Sequence, residues 1–164
     1  MVPVFSFIAW SGTGKTTYLT ALIAALKARG VRVGVIKHDA HRFDLDREGK
    51  DTHRFAGAGA DVVAIADAEK CAVMEYRPVT FAALCSRFTD VDVILAEGWH
   101  EQAEKPILVH RAATGQPPKL NPADCVAVVS DTPLPSGDKP LFALDDPDAL
   151  ADWLLGFLAL PPRT

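Results

Sequence analysis

Apolar runs and amphipathic stretches alternate along the first part of the chain and predict a parallel α/β fold. Residues 2–9 form a nearly continuous apolar run, which is typical of a strand buried on both faces of a sheet. Leucine and isoleucine side chains then recur at the spacing of one helix face within residues 19–26, and Gly30 ends this helix. Residues 31–36 form a second apolar run. A strand, a turn, a helix and a strand in succession form a βαβ unit, so we expect a parallel sheet.

The remainder of the chain continues this pattern with longer connections. We predict helices after Thr80 and after Asp146. We also predict five further strands, at residues 61–66, 71–76, 91–96, 107–109 and 125–129. The first two of these are separated by a short polar stretch and are expected to form an antiparallel hairpin at the edge of a mostly parallel sheet. The expected organisation is a single domain over residues 1–164.

The amino-acid composition argues against several classes of protein. The 164 residues are 49% hydrophobic, and 17 basic against 21 acidic side chains give a net charge of −4, which argues against nucleic-acid binding. Three widely spaced cysteines form no CxxC pair, so a disulfide framework or zinc ribbon is not expected, and the cytoplasm is the predicted compartment. The apolar run at residues 149–160 is too short to span a bilayer, so no membrane association is expected.

A phosphate-binding loop is predicted between the first strand and the first helix. Residues 9–16 read A-W-S-G-T-G-K-T and match the Walker A pattern, except that Ala9 stands where its first glycine is expected. In this pattern backbone amides form an anion-binding nest, the lysine reaches the β- and γ-phosphates, and the last hydroxyl binds Mg²⁺. The predicted nucleotide-binding residues here are Ser11, Gly12, Thr13, Gly14, Lys15, Thr16 and Thr17.

A carboxylate for the metal ion is expected at the end of a neighbouring strand. Glu97 follows the apolar strand at residues 91–96 and precedes Gly98, as expected of a Walker B acid. Asp39, at the end of the second strand, is the alternative. Sequence alone leaves both open as metal ligands beside Thr16, and Lys15, Asp39 and Glu97 are the candidate catalytic groups.

A charged segment at residues 37–54 follows the second strand. Of its 18 residues, 13 are charged or histidine, with five basic and five acidic side chains. It leaves the strand at the sheet edge where ligands of doubly wound sheets bind, so we interpret it as a ligand or partner surface rather than a solvated loop. Zinc binding by its histidines is disfavoured, because no cysteine is nearby. The candidate binding residues are Lys37, His38, His41, Asp44, Asp46, Lys50 and Asp51.

Several motifs together resemble those of the MobB-type molybdopterin-guanine dinucleotide biosynthesis proteins. They extend from residue 3 to about residue 131 and comprise AWSGTGKTT, VIKHDAH, the D-x-D-x-x-GKD pattern that begins at Asp44, AGA at residues 58–60, and ILAEGW. The resemblance implies a three-layer P-loop NTPase-like fold, GTP and Mg²⁺ as ligands, molybdopterin as a further ligand, and a homodimer. It also implies at most weak GTP hydrolysis and a role assisting a MobA-type molybdopterin guanylyltransferase, which joins GMP to molybdopterin.

Recognition of guanine has no clear sequence signature. The chain lacks an [NT]KxD motif, and Asn121 is its only asparagine. Asp131, after the strand at residues 125–129, is a candidate because an ionised carboxylate accepts hydrogen bonds, which the guanine edge can donate. A turn aspartate ahead of Pro133 is the alternative reading.

Two other functions fit the same motifs. In a small-molecule kinase, one of Asp39, Asp44 or Asp46 would act as the base on an acceptor hydroxyl. In a nucleotide-switched metal-insertion chaperone, the histidines of the charged segment would be transient ligands. A kinase would form ADP on addition of one metabolite, and a chaperone would bind nickel or zinc stoichiometrically.

Overall fold

The chain folds into two compact units. The computed structural model describes residues 1–38, 43 and 45–158. The first unit holds the described residues of Met1–His38 and Phe81–Thr164, and the second holds those of Asp39–Thr80. The single domain expected over the whole chain stays a prediction.

Eight strands and four helices make up the described structure. The strands are β1 (Val4–Ile8), β2 (Val33–Lys37), β3 (Val62–Ala66), β4 (Cys71–Glu75), β5 (Val93–Glu97), β6 (Pro106–His110), β7 (Ala127–Ser130) and β8 (Leu141–Ala143). The helices are α1 (Lys15–Ala28), α2 (Asp51–Gly57), α3 (Phe81–Cys85) and α4 (Pro147–Leu158), with single 3₁₀ turns at Ala112–Thr114 and Pro122–Asp124.

The first unit is built on a six-stranded sheet with the order β2-β5-β1-β6-β7-β8, in which every neighbouring pair is parallel. In the register of this sheet, Glu97 at the end of β5 pairs with Phe7 of β1 on one side and with Lys37 of β2 on the other. The carboxyl end of β5 therefore lies between the strand that leads into the phosphate loop and the strand that leads into the charged segment.

Both faces of this sheet are covered, which gives three layers. Phe5 and Phe7 of β1 belong to a buried cluster with Leu22 of α1 and Leu154 of α4. Val4, the residue before Phe5, faces the opposite side of the sheet and packs in a separate cluster that includes Phe81 of α3. The predicted three-layer α/β class with a mostly parallel sheet is confirmed, and the near-continuous apolar sequence of β1 follows from burial on both faces.

The second unit contains α2 and the hairpin of β3 and β4. These two strands pair antiparallel, from Val62 opposite Glu75 to Ala66 opposite Cys71. The hairpin was predicted, but its place at the edge of the main sheet is corrected: within the described residues it forms a two-stranded sheet of its own. The physical reason is local packing, because β3 contacts α2, the helix immediately before it.

Helix α2 was not predicted from the sequence, and its first residues form the end of the charged segment. Its sequence DTHRFAG has no apolar stripe of helical period, and no residue of the helix is buried. None of the helices in the described part of the chain has the length and apolar character needed to cross a bilayer.

Candidate functional site

The phosphate loop connects β1 directly to α1. Gly12 (φ 79°) and Gly14 (φ 87°) adopt left-handed backbone conformations that side chains disfavour, and Gly14 is the N-cap of α1. Thr13 donates its hydroxyl hydrogen bond to the Trp10 carbonyl at 2.7 Å, which closes the loop. Ala9 has no positive φ, so the departure from the Walker A pattern at this position introduces no backbone strain.

Three side chains converge where the loop meets the end of β5. The Lys15 Nζ lies 2.5 Å from Glu97 Oε1, and the Thr16 Oγ1 lies 3.3 Å from the same oxygen and 3.5 Å from Oε2. The Lys15 and Glu97 side chains are only 14% and 15% exposed. The sequence-based grouping of these three residues is thus observed in the structure as direct contact, in a partly buried setting where charge interactions are strong.

Gly98, the residue after Glu97, allows the chain after β5 to pass close to the chain after β2. Its φ is 94°, and a Cβ atom at this position would lie 2.5 Å from the His38 carbonyl oxygen. The His38 amide donates to the Glu97 carbonyl at 2.8 Å. The ring of His38 lies 4.5 Å from that of Trp99. The backbone after β2 and the backbone after β5 therefore approach so closely that only glycine fits.

A cavity of about 510 Å³ lies over the phosphate loop. It is lined by the whole loop, residues 9–17, together with Glu97, His100 and Lys119. The predicted residues Ser11 to Thr17 therefore face one common space, into which the loop amides and the N-terminus of α1 bring partial positive charge.

The sequence did not predict His100 and Lys119 as cavity residues. The Lys119 Nζ lies 3.3 Å from His100 Nε2 and 4.7 Å from the centre of the Trp10 ring. Trp10 also donates from Nε1 to the Pro117 carbonyl at 2.8 Å, which holds this proline-rich segment against the loop. No motif marks Lys119, since it is isolated in an irregular stretch.

The surroundings of His100 favour its neutral form. Burial lowers its pKa below the usual value, and the positive charges of Lys119 and Lys15 lower it further. An ammonium group only donates hydrogen bonds, so the ring atom Nε2 of His100 accepts from Lys119. The cavity therefore presents two ammonium groups and a neutral imidazole.

Arg111 is the third group that the sequence did not reveal. It follows β6, and its Nε donates to the Thr13 carbonyl at 2.9 Å, with the guanidinium beside Gly14. Its place after a central parallel strand is the signal that could have found it. Asp131 accepts at Oδ1 from the Ala112 amide at 2.8 Å and so fixes the turn that carries Arg111; a contact with guanine stays a prediction.

The candidate residues of the charged segment are distributed over both units. Asp39, His41 and Asp44 lie outside the described residues, and Lys37 and His38 belong to the first unit. In the second unit, Asp46 accepts from the Arg47 amide at 2.9 Å and from the Thr52 hydroxyl at 3.0 Å, so this carboxylate organises the start of α2.

Lys50 and Asp51 are exposed at the beginning of the same helix. Asp51 lies 3.8 Å from Arg54, one turn along. Among the described residues, no group of three or more His, Cys, Asp or Glu side chains is arranged to hold a metal ion.

Comparison with known proteins decides the family. The family model described as "Molybdopterin guanine dinucleotide synthesis protein B" (MobB) matches residues 4–131. The chain belongs to the MobB family. The molybdopterin-guanine dinucleotide biosynthesis adapter protein of Escherichia coli is 39% identical over 166 residues, which cover 96% of this chain and 94% of that protein. The adapter protein of Haemophilus influenzae is 35% identical, with 96% and 90% covered.

Solved MobB structures share the fold. The crystal structure of Bacillus subtilis MobB has a TM-score of 0.75 at 23% identity and covers 94% of this chain and 96% of its own. A MobB homologue from Bacillus stearothermophilus has a TM-score of 0.68 at 22% identity, with 96% and 99% covered. The resemblance seen in the motifs is thus confirmed for the family and for the fold.

Proposed function

We propose that this MobB-family protein binds GTP with Mg²⁺ at the phosphate loop and assists a molybdopterin guanylyltransferase in attaching GMP to molybdopterin. The observation that carries the nucleotide part is the convergence of Lys15, Thr16 and Glu97 in one cavity with the loop amides. The adapter role is supported by relatives that are named adapter proteins of molybdopterin-guanine dinucleotide biosynthesis and that align with nearly the whole chain.

The charge around the loop suits a triphosphate. Lys15 and Lys119 bring ammonium groups to the cavity, and the guanidinium of Arg111 lies beside Gly14. In the structure Lys15 is paired with Glu97. Phosphate oxygens can replace the carboxylate as the partner of Lys15, and the loop amides complete the anion site.

The residues present fit a magnesium ion. Carboxylate and hydroxyl oxygens are hard ligands of the kind that Mg²⁺ prefers, and Thr16 and Glu97 bring one of each to the same point. These contacts support Glu97 as the acidic ligand, whereas Asp39 lies outside the described residues. When bound, the ion would neutralise phosphate charge next to Lys15.

Hydrolysis by this site is expected to be slow. Fast GTPases orient the attacking water with a glutamine and stabilise the transition state with an arginine finger. The described residues that line the cavity include no glutamine, and Arg111 is engaged with the Thr13 carbonyl. We therefore assign the protein mainly an adapter role, with GTP as a bound ligand and at most weak GTPase activity.

We further infer a homodimer, located in the cytoplasm, with the hairpin as the candidate for pairing between protomers. Val62, Ile65 and Val73 of the hairpin are each more than half exposed, at 51%, 55% and 60%. Strands that display apolar side chains and unpaired edges in this way tend to pair with another chain.

Replacing Glu97 with glutamine tests the metal assignment. Glu97→Gln removes the negative charge but retains the shape, so the Mg²⁺-dependent gain in GTP affinity should fall by about tenfold or more. Affinity without Mg²⁺ should be unchanged or higher, because Lys15 is released from its ion pair. Titrations with GTP in Mg²⁺ and in a chelator measure both values, and an equal loss in the two would make Glu97 a structural residue.

Replacing Lys50 with alanine tests the charged segment as a partner surface. Lys50 is exposed, so Lys50→Ala should change the free energy of unfolding by about 0.5 kcal/mol or less. It should nevertheless reduce the dinucleotide yield in a mixture of the guanylyltransferase, molybdopterin, GTP and this protein. Lys70→Ala, an exposed lysine in the hairpin turn of the same unit, is the control.

The same assay tests the adapter role itself. The yield should rise when the wild-type protein is added to the transferase, and equal yields with and without it would contradict that role. Equal yields with Lys50→Ala and wild type would contradict only the partner surface.

A further inference from the structure

A second cavity, here called the side cavity, adjoins the phosphate loop within the first unit. Its volume is about 240 Å³, and it shares Gly14 and Thr17 with the cavity over the loop. The rest of its lining comes from Tyr18 and Ala21 of α1, from Arg111, and from Leu144, Asp145 and Pro147 between β8 and α4.

The wall formed by the β8–α4 connection is firmly placed relative to α1. Leu150 and Leu154 of α4 are fully buried in the same cluster as the leucines of α1. At the surface, Arg29, the residue after α1, donates to Asp148 and to Asp152, each at 2.7 Å. The side cavity is therefore preformed in the fold.

We propose that the side cavity is the nucleoside site of this protein and that Asp145 is the residue that selects guanine; this rests on the proposed binding of GTP at the phosphate loop. When Lys15 and Thr16 hold the terminal phosphates, the nucleoside must leave the loop on a side that is open to it. The shared residues Gly14 and Thr17 form that passage.

Asp145 has the chemistry that guanine requires. An ionised carboxylate only accepts hydrogen bonds, and guanine presents two adjacent donors, N1–H and the 2-amino group, on its Watson–Crick edge. Adenine has an acceptor at N1 and no 2-amino group, so a carboxylate faces it with a repulsive contact. Asp145 thus favours guanine by accepting its two hydrogen bonds and disfavours adenine by repelling its N1 atom.

The neighbouring aspartates accept structural hydrogen bonds, whereas Asp145 has no hydrogen-bond partner among the described residues. Asp146 accepts from the Ala149 amide at 3.1 Å at the start of α4, and Asp131 accepts from the Ala112 amide. Asp145 is exposed and makes no hydrogen bond or ion pair with any residue in the described part of the chain. It is the carboxylate of the side cavity that remains available to a ligand.

Two further side chains complete the proposed site. The guanidinium of Arg111 is held in place by its bond to Thr13 and offers a planar cation to a purine ring or to the phosphate next to the ribose. Tyr18 is only 4% exposed, and its hydroxyl has no hydrogen-bond partner among the described residues. Burial, together with the charge of Asp146, raises the pKa of this hydroxyl, so it stays protonated and can donate.

The test exchanges the hydrogen-bonding pattern of Asp145. In Asp145→Asn the new amide can donate to the 2-oxo group of xanthine, which replaces the 2-amino group of guanine. Calorimetric titration of the full chain should show GTP affinity lowered by about tenfold or more and xanthosine triphosphate affinity raised by a similar factor. Asp138→Asn, at an exposed turn of the same unit, should leave both affinities unchanged.

Each outcome bears on a different claim. An unchanged preference for GTP in Asp145→Asn, or a loss of GTP binding with no gain for xanthosine triphosphate in the folded protein, would overturn the assignment of Asp145. A switch produced by Asp131→Asn instead would return guanine recognition to Asp131. Failure of the wild-type protein to bind any triphosphate would overturn the proposed GTP site itself and the nucleoside site with it.

Discussion

Lys15→Ala is expected to lower the affinity for GTP by about a hundredfold or more, because it removes the charge-assisted hydrogen bonds to the phosphates. Lys15 is the group in closest contact with Glu97, so the substitution also leaves a partly buried carboxylate in the cavity without its ion pair. That negative charge will repel the phosphates and adds to the loss. Calorimetric titration with GTP in the presence of Mg²⁺ measures the change.

The matched control for this substitution is Lys27→Ala. Lys27 lies on the same helix but in its exposed last turn, so this variant loses an equal charge and should bind GTP as the wild type does. Thermal unfolding of both variants should stay close to that of the wild type. Unchanged GTP affinity in folded Lys15→Ala would refute the assignment of the phosphate loop.

Gly98→Ala is expected to lower the stability of the first unit by about 2–4 kcal/mol and to impair Mg²⁺-dependent GTP binding. Part of the cost is the positive φ, which disfavours any side chain by about 1–2 kcal/mol. The rest comes from the contact of the added Cβ with the His38 carbonyl at 2.5 Å, which forces the backbone after β2 or after β5 to move. Any such movement displaces Glu97.

Gly137→Ala separates these two contributions. Gly137 also has a positive φ, of 65°, but an added Cβ would meet no atom within 4 Å. It should therefore show only the smaller backbone cost and normal GTP binding. If Gly98→Ala and Gly137→Ala lower the melting temperature equally and bind GTP equally, the close approach beside Glu97 has no influence on the site.

Residues that are contiguous in sequence, or that end a strongly apolar strand, could be predicted. The phosphate loop is one continuous segment whose neighbours on either side are a strand and a helix, so its geometry follows from local sequence. Glu97 could be added because the carboxyl ends of parallel strands meet at one sheet edge. The direct contacts of Glu97 with Lys15 and Thr16 are seen only in the structure, and Asp39 lies outside the described residues.

Other parts of the site depend on long-range packing that leaves no local signal. Lys119 reaches the cavity over the phosphate loop because its proline-rich segment is hydrogen-bonded to Trp10 through the Pro117 carbonyl. Arg111 and Asp145 meet in the side cavity only because α4 packs on α1 and places the end of β8 beside the loop. Neither pairing could be derived from spacing in the sequence.

The charged segment also contains a helix and a side-chain contact that its sequence did not predict. Asp46 was predicted as a ligand-binding group because it stands in a strongly charged segment. In the structure its carboxylate accepts hydrogen bonds from Arg47 and Thr52 at the start of α2, a helix without an apolar stripe. A charged run with no hydrophobic period therefore gave no sign of the helix or of the contact between Asp46 and Thr52, and a ligand at Asp46 stays a prediction.

Titration of the wild-type chain with GTP and with ATP, each with and without Mg²⁺, tests most directly whether the cavity over the phosphate loop is a GTP site. We expect saturable binding of GTP at one site per chain, tighter with Mg²⁺ than without it, and weaker binding of ATP. Absence of heat with either triphosphate at protein concentrations well above the micromolar range, in protein shown to be folded, would contradict it.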